Sequence, residues 1–207
     1  MKHQLLAVLA VTAACAAGTV QAQSNFYVVG SLGRSSIDVD PNAVNNYALA
    51  NGLTTSSTTA GNDSFAYKAQ LGYRFAPAWS IEGGYTDLGD TDYINVNDIA
   101  TVGGKKDADA WNLDLVGTFA LSPTWAIIGR VGAYRWQARS DLPTAAGGTV
   151  RIKESGYDFK FGAGLQYEFN KNLAIRGEYE RFNEIGKTGT TGSESVGMYS
   201  IGAVLKF

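Results

Sequence analysis

The stretch Tyr157–Phe169, YDFKFGAGLQYEF, alternates without exception. Tyr157, Phe159, Phe161, Ala163, Leu165, Tyr167 and Phe169 share one parity; Asp158, Lys160, Gly162, Gly164, Gln166 and Glu168 share the other. Successive side chains of a strand point to opposite faces, so one face is apolar and the other polar or glycine. A helix would mix the two sets around its circumference. This segment is a strand with one face built for an apolar medium.

The same pattern recurs along the chain. Phe65 to Phe75 places Lys68, Gln70, Gly72 and Arg74 on its second parity. Trp111, Leu113, Leu115 and Phe119 oppose Asn112, Asp114 and Thr118, and Tyr199, Ile201, Ala203, Leu205 and Phe207 oppose Ser200, Gly202 and Lys206. Eight segments emerge, at 25–35, 65–75, 79–88, 109–121, 125–137, 157–169, 173–184 and 196–207. Most match the roughly 9–11 residues that a tilted strand needs to cross a bilayer, and exceed the globular mode of about 5–6. Pro41 to Asn51 could pass for a helix but lacks a sustained apolar period, so no helix is expected.

Connections alternate in length. Ala76-Pro77-Ala78, Ser122-Pro123-Thr124 and Asn170-Lys171-Asn172 are three-residue turns, whereas 36–64, 89–108, 138–156 and 185–195 are long and polar. Short turns on one side and long loops on the other, with an even strand number, describe an all-β, eight-stranded antiparallel up-and-down barrel. In that arrangement the turns and both termini face the periplasm.

The first residues differ from the rest. Lys2 and His3 precede an apolar run from Leu5 to Ala17, and Val20-Gln21-Ala22 offers small residues at a signal peptidase site. Residues 1–22 are read as a cleavable signal peptide and 23–207 as the barrel domain. Cys15 raises lipoprotein cleavage as a rival, weakened because Thr12-Ala13-Ala14 lacks the customary leucine. The only cysteine and the only histidine lie in this leader. The mature part thus has neither disulfide nor imidazole, and its 16 Lys+Arg against 19 Asp+Glu, after subtracting Lys2, give no basic footprint for nucleic acid.

Soluble barrels also alternate, with the apolar parity inward. Three features favour a membrane. The polar parity is crowded with glycine and carries both signs of charge, which suits a narrow lumen. Phe75, Trp79, Trp125, Phe169 and Phe207 border the short turns as an interfacial girdle, although turn-flanking packing would also collect aromatics there. Finally, the chain closes on Tyr199, Ile201, Leu205 and Phe207 at alternate positions, the form of a barrel-assembly signal. A Gram-negative outer-membrane location follows.

Several pieces in one order resemble the transmembrane domain of outer-membrane protein A. They are Leu71-Gly72-Tyr73-Arg74, Glu82-Gly83-Gly84-Tyr85 with Leu88-Gly89, Arg130-Val131-Gly132 through Trp136-Gln137-Ala138-Arg139, Arg176-Gly177-Glu178-Tyr179, and Met198 to Phe207. The resemblance implies a barrel with an obstructed, water-filled interior that anchors the outer membrane, some members adding adhesion or slow, small conductance. The family's periplasmic wall-binding domain has no counterpart after Phe207, so wall tethering is not expected. Glu82 and Arg176 fall at the family's central ion pair, while Val116 and Gln166 fall where it has an alternative Lys and acid. A simplified lumen built around Glu82 and Arg176 is expected.

Glu82, Arg130, Arg176 and Glu178, with Asp114, Lys160 and Lys68 further along, are the candidate lumen ion network. It is either a charged gate or the satisfied polar core of a narrow barrel, and the second reading is preferred because interior polar groups need partners in any case. Asp87, Asp90 and Asp92 are read as a solvated acidic loop rather than a cation site. Without histidine, and with no base at a defined spacing from Ser31, Ser64 or Ser80, catalysis is not expected, nor are a cofactor or metal. Expected partners are outer-membrane lipid and lipopolysaccharide, the barrel-assembly machinery and periplasmic chaperones, with the chain a monomer. The function read is structural, supporting membrane integrity with surface-exposed loops; a small channel or an adhesin is the alternative.

Overall fold

The computed structural model describes residues 25–36, 41–50, 52–54, 56–60, 63–98, 101–144, 149–185 and 194–207. The expected signal peptide at 1–22 lies outside them, as does most of 185–195. Strands β1 (Phe26–Ser36), β3 (Asp63–Ala76), β4 (Trp79–Asn97), β5 (Thr101–Ala120), β6 (Trp125–Pro143), β7 (Thr149–Glu168), β8 (Leu173–Ile185) and β9 (Glu194–Lys206) each pair antiparallel with their neighbours. The ring closes at both seams: β1 pairs with β9 from Tyr27↔Lys206 to Ser36↔Gly197, and β4 pairs with β5 from Trp79↔Gly117 to Val96↔Thr101. Eight strands thus form an up-and-down barrel with no free edge in its wall.

The apolar parity faces outward. Phe65, Trp111, Tyr157 and Ile201 are 64%, 60%, 79% and 64% exposed, while Lys68, Glu82, Arg130 and Lys160 are buried on the opposite parity. A water-soluble barrel would show the reverse, so the alternation serves lipid outside and a polar lumen inside. The girdle residues Phe75, Trp79, Trp125, Phe169 and Phe207 are all exposed at the turn end. Edge-on ring contacts of Trp79 with Phe119 (6.1 Å) and Trp125 with Tyr167 (5.0 Å) lock this belt. A second row, Tyr85, Trp111, Arg135 and Tyr157, lies in cross-strand register at the loop end. Along β6, Trp125 to Arg135 is about 33 Å of strand at ~3.3 Å per residue, or about 25 Å of height at a tilt near 40°. That is the thickness of an outer-membrane apolar band.

The turns are closed by local chemistry. Asn170 Oδ1 accepts hydrogen bonds from the Asn172 and Leu173 amides, each at 2.9 Å, and Ser122 Oγ accepts from the Trp125 amide at 3.0 Å.

The loop side departs from expectation. Segments 89–108 and 138–156 are largely strand, because β4–β5 and β6–β7 continue their ladders well beyond the membrane band. Gly89, at φ +81°, sits at a register shift between Asp87 and Asp90. The bulge flips the parity, so Tyr93 and Asn95 turn inward where the earlier rhythm would have turned them out. Within 36–64, Pro41–Ala50 forms a helix, α1, and Ser56–Ala60 a short strand, β2, paired to Tyr93–Asn97 of β4. The helix lacks a long apolar stripe, but it buries Val44 and Ala48; Val44 packs with Tyr93 and Leu142, against which Tyr47 and Ile152 also lie. Asn95 Nδ2 donates to Ser56 Oγ (2.7 Å) and Thr58 Oγ1 (2.9 Å), and both hydroxyls donate to Asn45 Oδ1. The long polar loop is therefore a small folded cap.

Candidate functional site in the barrel lumen

Inward parity on six strands brings eight ionised side chains together. Lys68 comes from β3, Glu82 from β4, Asp114 from β5, Arg130 from β6, Lys160 from β7, and Arg176, Glu178 and Glu180 from β8. Tyr27 of β1 is the uncharged contributor, donating its hydroxyl to Glu82 at 2.7 Å. All eight charged groups are buried. Four are cations and four are carboxylates, so the network is neutral.

Arg130 is its centre. Its guanidinium reaches Glu82 at 2.9 Å, Asp114 at 3.1 Å and Glu180 at 3.4 Å, with a shorter bond to Glu178. Gln70 Oε1 accepts a further bond from it at 3.2 Å. Arg176 donates to Glu82 at 2.7 Å and, through Nε, to Gln166 at 2.9 Å. Lys68 bridges Glu178 (2.6 Å) and Glu180, and Lys160 bridges Glu180 (2.6 Å) and Asp114 (3.0 Å). A buried charge is tolerated only when paired and hydrogen-bonded, and each charge here meets at least one of opposite sign.

Glycine creates the room. A Cβ on Gly72 would lie 2.2 Å from the Tyr27 ring, and one on Gly162 would lie 3.2 Å from Arg130 Cγ. Gly156 lets the Trp136 indole lie across β7, where a Cβ would come within 2.7 Å of it. A lumen of eight strands is about filled by side chains, and these absences decide which side chains fill it.

Apolar layers bound the network at both ends. Toward the loops lie Tyr134, Trp136, Phe182, Leu88, Ile185 and Met198, with Tyr134 and Phe182 in edge contact at 5.1 Å. Lys160 Nζ rests 5.0 Å from the Phe182 ring centre, joining the two layers. Toward the turns lie Tyr27, Val29, Ala174 and Val204. Below these, at the turn end, Lys206 pairs with Glu168. The arrangement can hold charge in place; it presents no unpaired charge to a passing ion.

All six residues singled out for the network, Glu82, Arg130, Arg176, Glu178, Asp114 and Lys160, are brought together, as is Lys68. Glu180 was not singled out, although it shares the parity of Arg176 and Glu178, which was signal enough. The expected simplification does not hold. Val116 is buried and apolar and Gln166 is neutral, yet Lys68, Lys160, Asp114 and Glu180 supply charges at other inward positions. The acidic stretch is strand rather than loop, but it is solvated in part: Asp87 is half-buried on β4, whereas Asp90 and Asp92 are exposed, Asp90 pairing with Lys105 at 2.6 Å.

Comparison with known proteins agrees with this architecture. "Outer membrane protein A" of Klebsiella pneumoniae is 28% identical over 159 residues, covering 76% of this chain and 45% of that protein. The chain thus spans about half the length of the curated relatives it matches. Among solved structures, Neisserial surface protein A superposes with a TM-score of 0.53 at 17% identity, covering 89% of this chain and 98% of that one. The attachment invasion locus protein of Yersinia pestis gives 0.53 at 16% identity, covering 90% and 100%. The family described as outer membrane protein beta-barrel domain matches residues 5–207, and the chain belongs to it: an integral β-barrel of the outer membrane, similar to outer membrane protein A.

Proposed function

We propose that this protein is a sealed structural barrel that supports outer-membrane integrity, with its short turns and both termini on the periplasmic side and its extended hairpins and α1 cap outside. One observation carries the reading: a neutral, fully buried ion network lies between two apolar layers in the lumen. Ions crossing such an interior would have to break paired charges in a low-dielectric space and then pass an apolar plug. That weighs against the channel alternative. The one histidine, His3, falls in the expected leader, which weighs against catalysis by an imidazole base. The terminal row Tyr199, Ile201, Leu205 and Phe207, on the lipid-facing parity of β9 and its end, supports recognition by the assembly machinery.

The test is conductance across planar bilayers, with heat-modifiable gel migration establishing that the barrel is folded. The expected result is a shifted band with no steady current. Sustained, large open steps from the heat-shifting species would overturn the sealed reading.

A further inference from the structure

The outward face of β6–β7 carries the cations Arg135, Arg139 and Lys153, two of which have no carboxylate partner among the described residues. Register sets Arg139 directly opposite Lys153 and Arg135 opposite Tyr157, with Gln137 and Ser155 between them. Like charges directly opposite on an antiparallel pair repel. Arg139 is held from its other side by Asp107 at 2.6 Å and Asp109 at 2.9 Å. Arg135 and Lys153 are exposed and have no carboxylate partner among the described residues. Arg135 instead lies 5.8 Å from the Tyr157 ring centre, inside the aromatic row that bounds the apolar band. A hollow of about 180 Å³ opens here, lined by Arg135, Gln137, Arg139, Lys153 and Ser155, with Glu154 on its inner side.

Depth and charge together specify an occupant. Lys153 and Arg139 stand four residues beyond the aromatic row, about 10 Å higher along the axis at ~3.3 Å per residue and a ~40° tilt. That is the headgroup layer of the outer leaflet, where Lys and Arg meet lipid phosphates. Immediately below are Phe159, 57% exposed, and Val131, 53% exposed, suited to acyl chains. The neighbouring β4–β5 sector is of opposite sign, with Asp87, Asp90, Asp107 and Asp109 around Lys105 and Arg139. An anionic headgroup is thus favoured on one side of the barrel only.

We propose that the β6–β7 face binds the phosphate groups of the outer-leaflet glycolipid, lipopolysaccharide, between Arg135 and Lys153. The inference rests on the outer-membrane reading above and adds a site to it. The test uses the full barrel in phosphatidylcholine nanodiscs, titrated with diphosphoryl lipid A. Arg135→Gln/Lys153→Gln weakens binding by about thirtyfold, taking the usual contribution of one basic residue near an anionic surface twice. Arg34→Gln/Arg181→Gln, which removes exposed arginines on β1 and β8, leaves affinity within about twofold, the scale of surface charge effects. Lipid A stripped of both phosphates binds weakly to the unmodified protein. Unchanged affinity in the first variant, equal loss in both variants, or tight binding of the stripped lipid each overturn the site. Should the first variant not fold, the unmodified protein decides. Its affinity for diphosphoryl lipid A falls steeply between about 50 and about 200 mM salt, and a flat response overturns the site. A protein that shifts on heating yet fails these tests loses only this patch; one that never shifts loses the barrel reading first.

Discussion

Replacing Arg130 with methionine isolates the energetic role of the lumen network. The substitution removes one cation that contacts four carboxylates: Glu82, Asp114, Glu178 and Glu180. Each keeps another partner, since Arg176 remains for Glu82, Lys68 for Glu178, and Lys160 for both Asp114 and Glu180. What is lost is neutrality, leaving three cations against four carboxylates in a space closed to water. Breaking a buried ion pair from one side costs about 3–5 kcal/mol, and Arg130→Met is expected to fall in that range. The packing loss is small, because methionine replaces the aliphatic stem that lies over Gly162. Arg130→Met/Glu178→Gln restores equal numbers and recovers at least about half of the loss, the non-additivity expected of contacting groups. The assay is reversible urea unfolding in lipid vesicles, followed by tryptophan fluorescence and by the heat-shifted band. A single-variant cost below about 1 kcal/mol would refute the reasoning, because exposed pairs already reach that value. A double variant less stable than the single would refute it equally.

Gly72→Ala forces a methyl group into the Tyr27 ring and displaces the hydroxyl that donates to Glu82, so a loss of about 1–3 kcal/mol is expected in the same unfolding assay. Gly72→Ala/Tyr27→Ala should be less impaired than the two single losses combined, and strict additivity would count against the clash. Trp125→Ala removes the edge contact with Tyr167 and an interfacial anchor, costing about 1 kcal/mol. Outside the membrane, Arg151 grips Asp141 through Nε–Oδ1 at 2.7 Å and Nη2–Oδ2 at 2.9 Å, holding its carboxyl below the usual carboxylate range. A lowered native value means that this contact supports the hairpin above the ordinary aspartate pKa of about 3.9 and is lost as pH falls through the native value. Amide exchange at the outer end of β6–β7 should therefore speed up in acid relative to Asp141→Asn, whose exchange shows no such step; identical profiles would remove the pair from the account.

The membrane barrel was legible because lipid and lumen impose opposite demands on adjacent residues. Tyr157–Phe169 shows this without a break, and the structure puts Phe159 and Phe161 outside and Lys160 inside. The network was legible for the same reason, since a charge on the inward parity has only other inward charges to meet. Legibility ended where the parity did. Past Gly89 the bulge inverts the rhythm, so Tyr93 and Asn95 look misplaced in sequence and the long β4–β5 hairpin reads as loop. The α1 helix escaped notice because its apolar contact is one turn wide. Val44, Tyr47 and Ala48 have the i, i+3, i+4 spacing, and Pro41 suits a first helical turn, but no second turn repeats it. Lys153 and Arg135 gave no sign of their closeness, because register across a long hairpin is set by pairing and not by local composition.

The distribution of charge along the chain makes neutrality a property of the finished ring. Strands β3 to β7 bring Lys68, Arg130 and Lys160 but only Glu82 and Asp114, an excess of one cation. Strand β8 brings Arg176 with Glu178 and Glu180, an excess of one carboxylate, and β9 then seals against β1. Without β8 the named lumen groups would carry one uncompensated positive charge. The penultimate strand is thus an electrostatic latch: its surplus carboxylate cancels the surplus cation of the strands before it. Charge balance and geometric closure are therefore both properties of the complete ring and of no part of it.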